Sequence, residues 1–232
     1  MSGVCVRLMA PMLTGRWAIG HGLPTLNRMN SLRSVAPSRC VKDAESTPPF
    51  GRQTPEVILG PFYPADRVAP RRDDLRFLDG GDAVAMGDPI LVNVRVVDDE
   101  GTRLQGVCVE FWQANSGGRY RHPGDRGVAP LDPAFDGFAS QVSDHRGVLT
   151  FKTIKPGAYR TPFDEWRAPH IHFQVSRGPF RLITQMFFPG EALNEDDRCL
   201  RSCRCPRMLV AKAMDPPPAG MTEFGWDIVL PR

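Results

Sequence analysis

The stretch RAPHIHFQV, residues 167–175, sets two imidazoles one residue apart. Alternate side chains of an extended strand share a face. His170 and His172 therefore project together, roughly 7 Å apart at the backbone, while Ile171, Phe173 and Val175 project the other way into a core. Two imidazoles so placed can converge on one metal ion, or they can be two structural histidines; the spacing alone leaves both readings open. The chain has only three tyrosines, Tyr63, Tyr120 and Tyr159. Tyr120 lies in a glycine-rich loop, NSGGRYRHPGD, and Tyr159 closes the turn KPGAY just before the histidine strand. A phenol in either place is an ordinary rim residue unless a cation draws on its oxygen. His122 and His145 occupy polar turns and read as surface residues. The run CLRSCRC places Cys199, Cys203 and Cys205 within seven residues. Three thiols could hold a soft metal, but no fourth ligand is evident, so the run reads as an arginine-rich connector.

These residues need strands to position them, and the sequence supplies strands. PILVNVRVV (89–97) alternates, with Ile90, Val92, Val94 and Val96 on one side. Further strands are expected at 106–114, 138–144, 148–154, 169–175, 181–188 and 224–230, separated by glycine, proline and aspartate turns. A short helix is expected near 206–214, with a proline at its first turn. With 22 glycines, 23 prolines and 41% hydrophobic residues in 232, the pattern predicts an all-β chain, an antiparallel β-sandwich with long irregular loops. Residues 1–50 show no periodicity and predict a basic, disordered extension; residues 51–232 form the folded domain. Residues 1–42 carry six Lys/Arg and no acid, leaving 23 basic and 26 acidic residues in the rest. The folded part therefore offers no basic face for nucleic acid. No apolar run is long enough to span a membrane. Cys108 reads as a small core residue, and with no secreted disulfide framework the expected setting is reducing and cytoplasmic.

The segments VEFWQANSGGRYRHPGD, TIKPGAYRTPFDEWRAPHIHF and LITQMFF resemble the intradiol ring-cleavage dioxygenases over about residues 54–230, most closely the iron-bearing β-chain type that acts on protocatechuate. The resemblance implies a transthyretin-like sandwich holding one non-haem Fe(III) per chain. Its ligands would be Tyr120, Tyr159, His170 and His172, meeting between the β layers. It also implies that a catechol binds as a dianion in place of Tyr159, with Tyr120 and His170 retained equatorially and His172 axial. The ring would then be cleaved by O2 between its two hydroxylated carbons to a cis,cis-muconate. Arg167 corresponds to an arginine that stabilises negative charge on the ring, unless it is a rim residue paired with Asp164 or Glu165. Gln185 corresponds to a glutamine near substrate and oxygen, and Tyr63 to the lining of the pocket mouth. The ligand chemistry is consistent: hard, trivalent iron suits anionic phenolate oxygen, and neutral imidazoles complete the set.

The chain departs from that pattern between Tyr159 and Arg167, where the loop is two residues shorter and Arg160 and Thr161 replace a tryptophan. An arginine there would favour an anionic ring substituent. The partners implied are a catecholic small molecule, O2 and further copies of the chain in a homo-oligomer, with an α-type partner chain as the other option. A non-enzymatic sandwich serving as a binding module, or a zinc or copper site on the two histidines, are the competing readings.

Overall fold

The computed structural model describes residues 52–78, 81–214 and 221–232. The expected N-terminal extension, with Cys5 and Cys40, lies outside them. The alternating segments become ten strands: β1 (Pro89–Asp98), β2 (Cys108–Gln113), β3 (Phe138–Val142), β4 (Val148–Ile154), β5 (Tyr159–Arg160), β6 (Trp166–Arg167), β7 (His170–Arg177), β8 (Phe180–Phe187), β9 (Lys212–Ala213) and β10 (Thr222–Leu230). One sheet runs in the order β4-β1-β10-β9 and the other β3-β2-β7-β8, while β5 and β6 form a small separate hairpin. The expected β-sandwich is present. Its one parallel contact among these strands joins β1 to β10, with Ile90 opposite Thr222 and Asp98 opposite Leu230.

The period-two pattern fills the space between the sheets. From one sheet come Ile90, Val92, Val94, Val96, Phe151, Trp226 and Ile228; from the other Val109, Phe111, Ile171, Phe173 and Val175. Phe111 stacks on Phe151 with ring centroids 4.0 Å apart, and Phe173 meets Trp226 at 5.0 Å. These aromatic contacts cross from sheet to sheet and fix their spacing. The indole of Trp226, buried with them, donates to Met208 O at 2.8 Å.

The helix expected near 206–214 is instead a single 3-10 turn, Pro206–Leu209. Its backbone turns extended at Val210, and Lys212 and Ala213 pair with Gly225 and Phe224 of β10. Sheet pairing outweighs the helical propensity of those residues. The one α-helical turn among the described residues, α1 (Arg198–Arg201), lies earlier and is capped by Asp197, which accepts from Leu200 N. Cys108 is half-buried at the start of β2 and is not a free thiol, contrary to the expected core role.

Two loops that carry tyrosines are joined through their backbones. Asn115 O accepts from both Gly118 N (3.0 Å) and Gly157 N (2.9 Å). A Cβ on Gly157 would lie 2.3 Å from Ser116 O and 2.7 Å from Gly118 N. Both neighbours are backbone, so the loops would have to separate. Gly157→Ala is therefore expected to lower stability by about 1–3 kcal/mol, as overpacking does. Urea denaturation measures it, and an unchanged midpoint would show that the contact yields freely.

Candidate metal centre

Strand register brings one row of side chains across the face of the second sheet that looks away from the core. His172 pairs with Trp112 of β2 on one side and Gln185 of β8 on the other. Because β7 alternates, Ile171 and Phe173 enter the core while His170 and His172 face outward onto this surface. The histidines are nevertheless enclosed, each only 2% exposed, because loops cover them. The site therefore sits beneath these loops on the outer face of one sheet and not between the β layers, a correction to the expected placement.

Four aromatic rings close a circuit there. Ring centroids lie 5.5 Å apart for Tyr120–Tyr159, 5.7 Å for Tyr159–His170, 4.8 Å for His170–His172 and 6.1 Å for Tyr120–His172. His170 Nε2 and His172 Nε2 are 3.1 Å apart. His170 Nδ1 is 2.6 Å from Ala168 O. A carbonyl only accepts, so Nδ1 carries the proton and Nε2 presents its lone pair to the centre of the circuit. Trp112 stacks on His172 at 4.8 Å with planes 11° apart.

The Tyr120 hydroxyl is buried and, among the described residues, makes no hydrogen bond of good geometry, the Tyr159 phenol being its nearest polar neighbour. Burial, then the neighbouring Tyr159 phenol, pushes its pKa well above the ordinary tyrosine value. Tyr159 is half-buried; burial also raises its pKa, while the Arg167 charge opposes that rise. Both imidazoles are held well below the ordinary histidine value. Burial is the main cause, reinforced by Arg167 at His170, and by His170 and then Arg167 at His172. They are neutral at pH 7, the state that binds a metal. Among the described residues no three His, Cys, Asp or Glu side chains gather as a metal cluster; half of this donor set is phenol. An orphaned buried phenol oxygen, a second phenol and two converging imidazole nitrogens fit a hard trivalent cation such as ferric iron.

Arg167 is 5% exposed. It pairs with neither Asp164 nor Glu165 but with Asp197, Nε to Oδ2 at 2.9 Å, while its Nη2 donates to Gln185 Oε1 at 2.6 Å. Burial acts to lower its pKa, but the Tyr159 oxygen and Asp197 prevail and raise it. Gln185, fully buried, donates to Ile58 O at 3.1 Å and has its amide nitrogen 3.3 Å from His172 Nδ1. Both expected residues thus adjoin the histidines.

Tyr63 does not line the centre. Its hydroxyl donates to Glu110 at 2.7 Å and its ring packs on Trp112 and Phe138. The preceding residue, Phe62, meets Tyr120 at 4.7 Å and Tyr159 at 6.3 Å and walls the site instead. Gly60 brings backbone against His172, where an added Cβ would lie 3.2 Å from the ring. Arg160 points away from Tyr159, as strand alternation requires. It is exposed, pairs with Asp164 at 2.9 Å and lies over Trp166. His145 is exposed and His122 half-buried, its Nδ1 accepting from Gly124 N. The thiols have separate surroundings: Cys203 Sγ donates to Cys199 O, and Arg52 donates to Cys205 Sγ. Burial raises the Cys199 pKa, so without a metal it is a protonated thiol at neutral pH.

A family model described as dioxygenase matches residues 58–232. The protocatechuate 3,4-dioxygenase β chain of Burkholderia cepacia is 42% identical over 139 residues, 57% of this chain and 58% of that one. A catechol 1,2-dioxygenase of Candida albicans is 32% identical over 152 residues, 58% of this chain and 46% of that one. The chain thus spans about half the length of these curated relatives. Among solved structures, the dioxygenase domain of a dioxygenase–carbohydrate-binding fusion from Streptomyces sp. SirexAA-E superposes with a TM-score of 0.59 at 27% identity, covering 78% of this chain and 99% of that domain. A 3-chlorocatechol 1,2-dioxygenase from Rhodococcus opacus 1CP shares the fold at a TM-score of 0.61 and 22% identity, covering 79% and 74%.

Burial of two neutral imidazoles has a measurable cost in acid. Their folded pKa values lie below the unfolded value, about 6.5. Their contribution to stability is complete above that value and is lost as pH falls towards the folded values, because the unfolded chain takes up protons first. Metal-free protein is expected to lose up to about 1.4 kcal/mol per pH unit per imidazole in that window. The His170→Gln/His172→Gln double variant should show a flatter decline in thermal midpoint between pH 7 and 5. Equal slopes would contradict the assignment.

Proposed function

The chain belongs to the intradiol ring-cleavage dioxygenase family, and on that footing we propose that it is a non-haem Fe(III) enzyme that opens a catecholic ring between its two hydroxylated carbons. Both oxygen atoms of O2 would enter the cis,cis-muconate product. The observation that carries the reading is the closed circuit of Tyr120, Tyr159, His170 and His172 around one buried point. Those four residues would hold the iron. When bound, ferric iron supplies Lewis acidity to phenolic oxygens and couples an electron-rich ring to O2.

The protein's own groups divide the remaining work. Tyr120 is 3% exposed and anchored in its loop, with its amide donating to Asp125 at 2.7 Å. It is the phenol suited to remain in place. Tyr159, half-buried on a two-residue strand, is the one free to move, and its Oη is the base that takes a proton from a substrate hydroxyl. Arg167, held by Asp197 and Gln185, presents fixed positive charge where the ring carries negative charge. Its Nη1 makes no hydrogen bond among the described residues, so one face of the fork remains for substrate. Gln185 steadies His172 from behind. Phe62 and Trp112 exclude water from the ring of ligands.

A protocatechuate-type substrate is the favoured member of the class, supported by the 42% identity to the β chain of an enzyme of that name. Arg160 lends that choice no support, since its guanidinium is already paired and faces away. Arg160→Ala is expected to leave the ratio of kcat/KM for protocatechuate over catechol within about twofold, as for an exposed ion pair of little energetic weight. A collapse of that ratio would restore Arg160 as a substrate contact.

Iron-loaded protein is expected to be reddish through tyrosinate-to-iron charge transfer, and to consume oxygen equimolar with substrate in an oxygen-electrode assay of protocatechuate, catechol and hydroxyquinol. Tyr120→Phe, which removes a ligand outright, should reduce iron affinity by more than the roughly ten- to hundredfold cost of losing an outer-shell partner. A colourless iron-loaded preparation would overturn the ligand assignment, and absence of oxygen uptake with all three substrates would overturn the activity.

A further inference from the structure

Asp197 is fully buried, and its carboxylate ties together three otherwise separate pieces of chain. Oδ2 accepts from Arg167 Nε (2.9 Å) and from Ala168 N (2.9 Å), while Oδ1 caps α1 through Leu200 N (3.0 Å). Two arms lead from Oδ2 to the histidines. In the first, Arg167 Nη2 donates to Gln185 Oε1, and the Gln185 amide lies against His172 Nδ1. In the second, the Ala168 peptide is held through its N–H while its carbonyl receives His170 Nδ1. A single anion is therefore in hydrogen-bonded series with both imidazoles and with the guanidinium beside Tyr159.

We propose that Asp197 is the positioning residue of this centre: its carboxylate sets the aim of the Arg167 guanidinium and of the Ala168 carbonyl, and through them the charge facing the substrate ring and the orientation of both histidines. The inference deepens the dioxygenase reading and rests on it. Capping α1 is a separate duty, and the two can be divided. Serine is a good cap but too short and uncharged to serve Arg167. Asparagine keeps the shape of the carboxylate and removes its charge.

The test compares Asp197→Ser, Asp197→Asn, Arg167→Ala and the Arg167→Ala/Asp197→Ser double variant. In iron-loaded protein, Asp197→Ser is expected to retain the tyrosinate band, to lose about ten- to a hundredfold in kcat, and to change KM by less than about threefold. Asp197→Asn should fall between it and the wild type. In the Arg167→Ala background, Asp197→Ser should cost clearly less than it does alone, because one of its two arms is already gone and only the Ala168 arm remains. A residue that only caps the helix predicts wild-type kcat for Asp197→Ser, and a general loss of folding predicts multiplicative effects in the double variant; either result overturns the proposal. The same four proteins without metal provide a readout independent of activity. Their thermal midpoints should be non-additive, the double variant losing less than the sum of the single losses, and additivity counts against the inference. If the wild type opens no catechol, the functional reading fails, while the metal-free cycle still decides whether Asp197 governs Arg167.

Discussion

β7 must satisfy two environments with one run of residues. Ile171, Phe173 and Val175 are fully buried between the sheets. A strand cannot turn one residue without turning the next, so His170, His172 and Gln174 are delivered to the opposite face in fixed register. The aromatic packing of the core thereby sets the position of the imidazoles. Everything on the outer face is then arranged around groups that cannot be moved or left unsatisfied. Gln174 finds Glu110 at 2.6 Å, His170 finds a carbonyl, and His172 is enclosed by an indole and an amide.

Charge is handled with the same economy. A guanidinium and a carboxylate are both removed from water here, which is unfavourable unless each finds dense pairing. Arg167 and Asp197 meet that condition with each other, with Gln185 and with two backbone amides. The Arg167 charge reinforces the neutrality of both imidazoles and opposes, without overcoming, the rise that burial imposes on both phenols. Neutral nitrogen thus exists in the protein's own electrostatics, while ionised phenol oxygen requires the charge of a bound cation.

What could be read from the residues follows from the range of each interaction. Alternation in β1 and β7 is local, so the strands, the sandwich and the shared face of the two histidines were legible, but not that this face lies outside the sandwich. Gln185 was marked by the family resemblance, and the structure sets it directly across from His172. Asp197 lies thirty positions beyond Arg167, with no periodic signal linking them. Nearby Asp164 and Glu165 looked like better partners, yet they face Arg160 and Arg198 instead. Phe62, which walls the site, lies in a segment without strand pairing and so carries no periodic signal of its place. The 3-10 turn at Pro206–Leu209 replaced a helix because an exposed sheet edge was available to the residues that followed.

The parallel pairing of β1 with β10 has a kinetic consequence. Arg95 and Asp227, ion-paired neighbours across that seam, are 132 positions apart in the chain. Closing so long a loop is slow and yields its reward late. Until β10 arrives, β1 offers a bare edge of Val92, Val94 and Val96 that any other extended chain can join. Productive assembly of this protein is thus a race between its own distant segment and its neighbours, and crowding by partly made copies tilts that race towards aggregation.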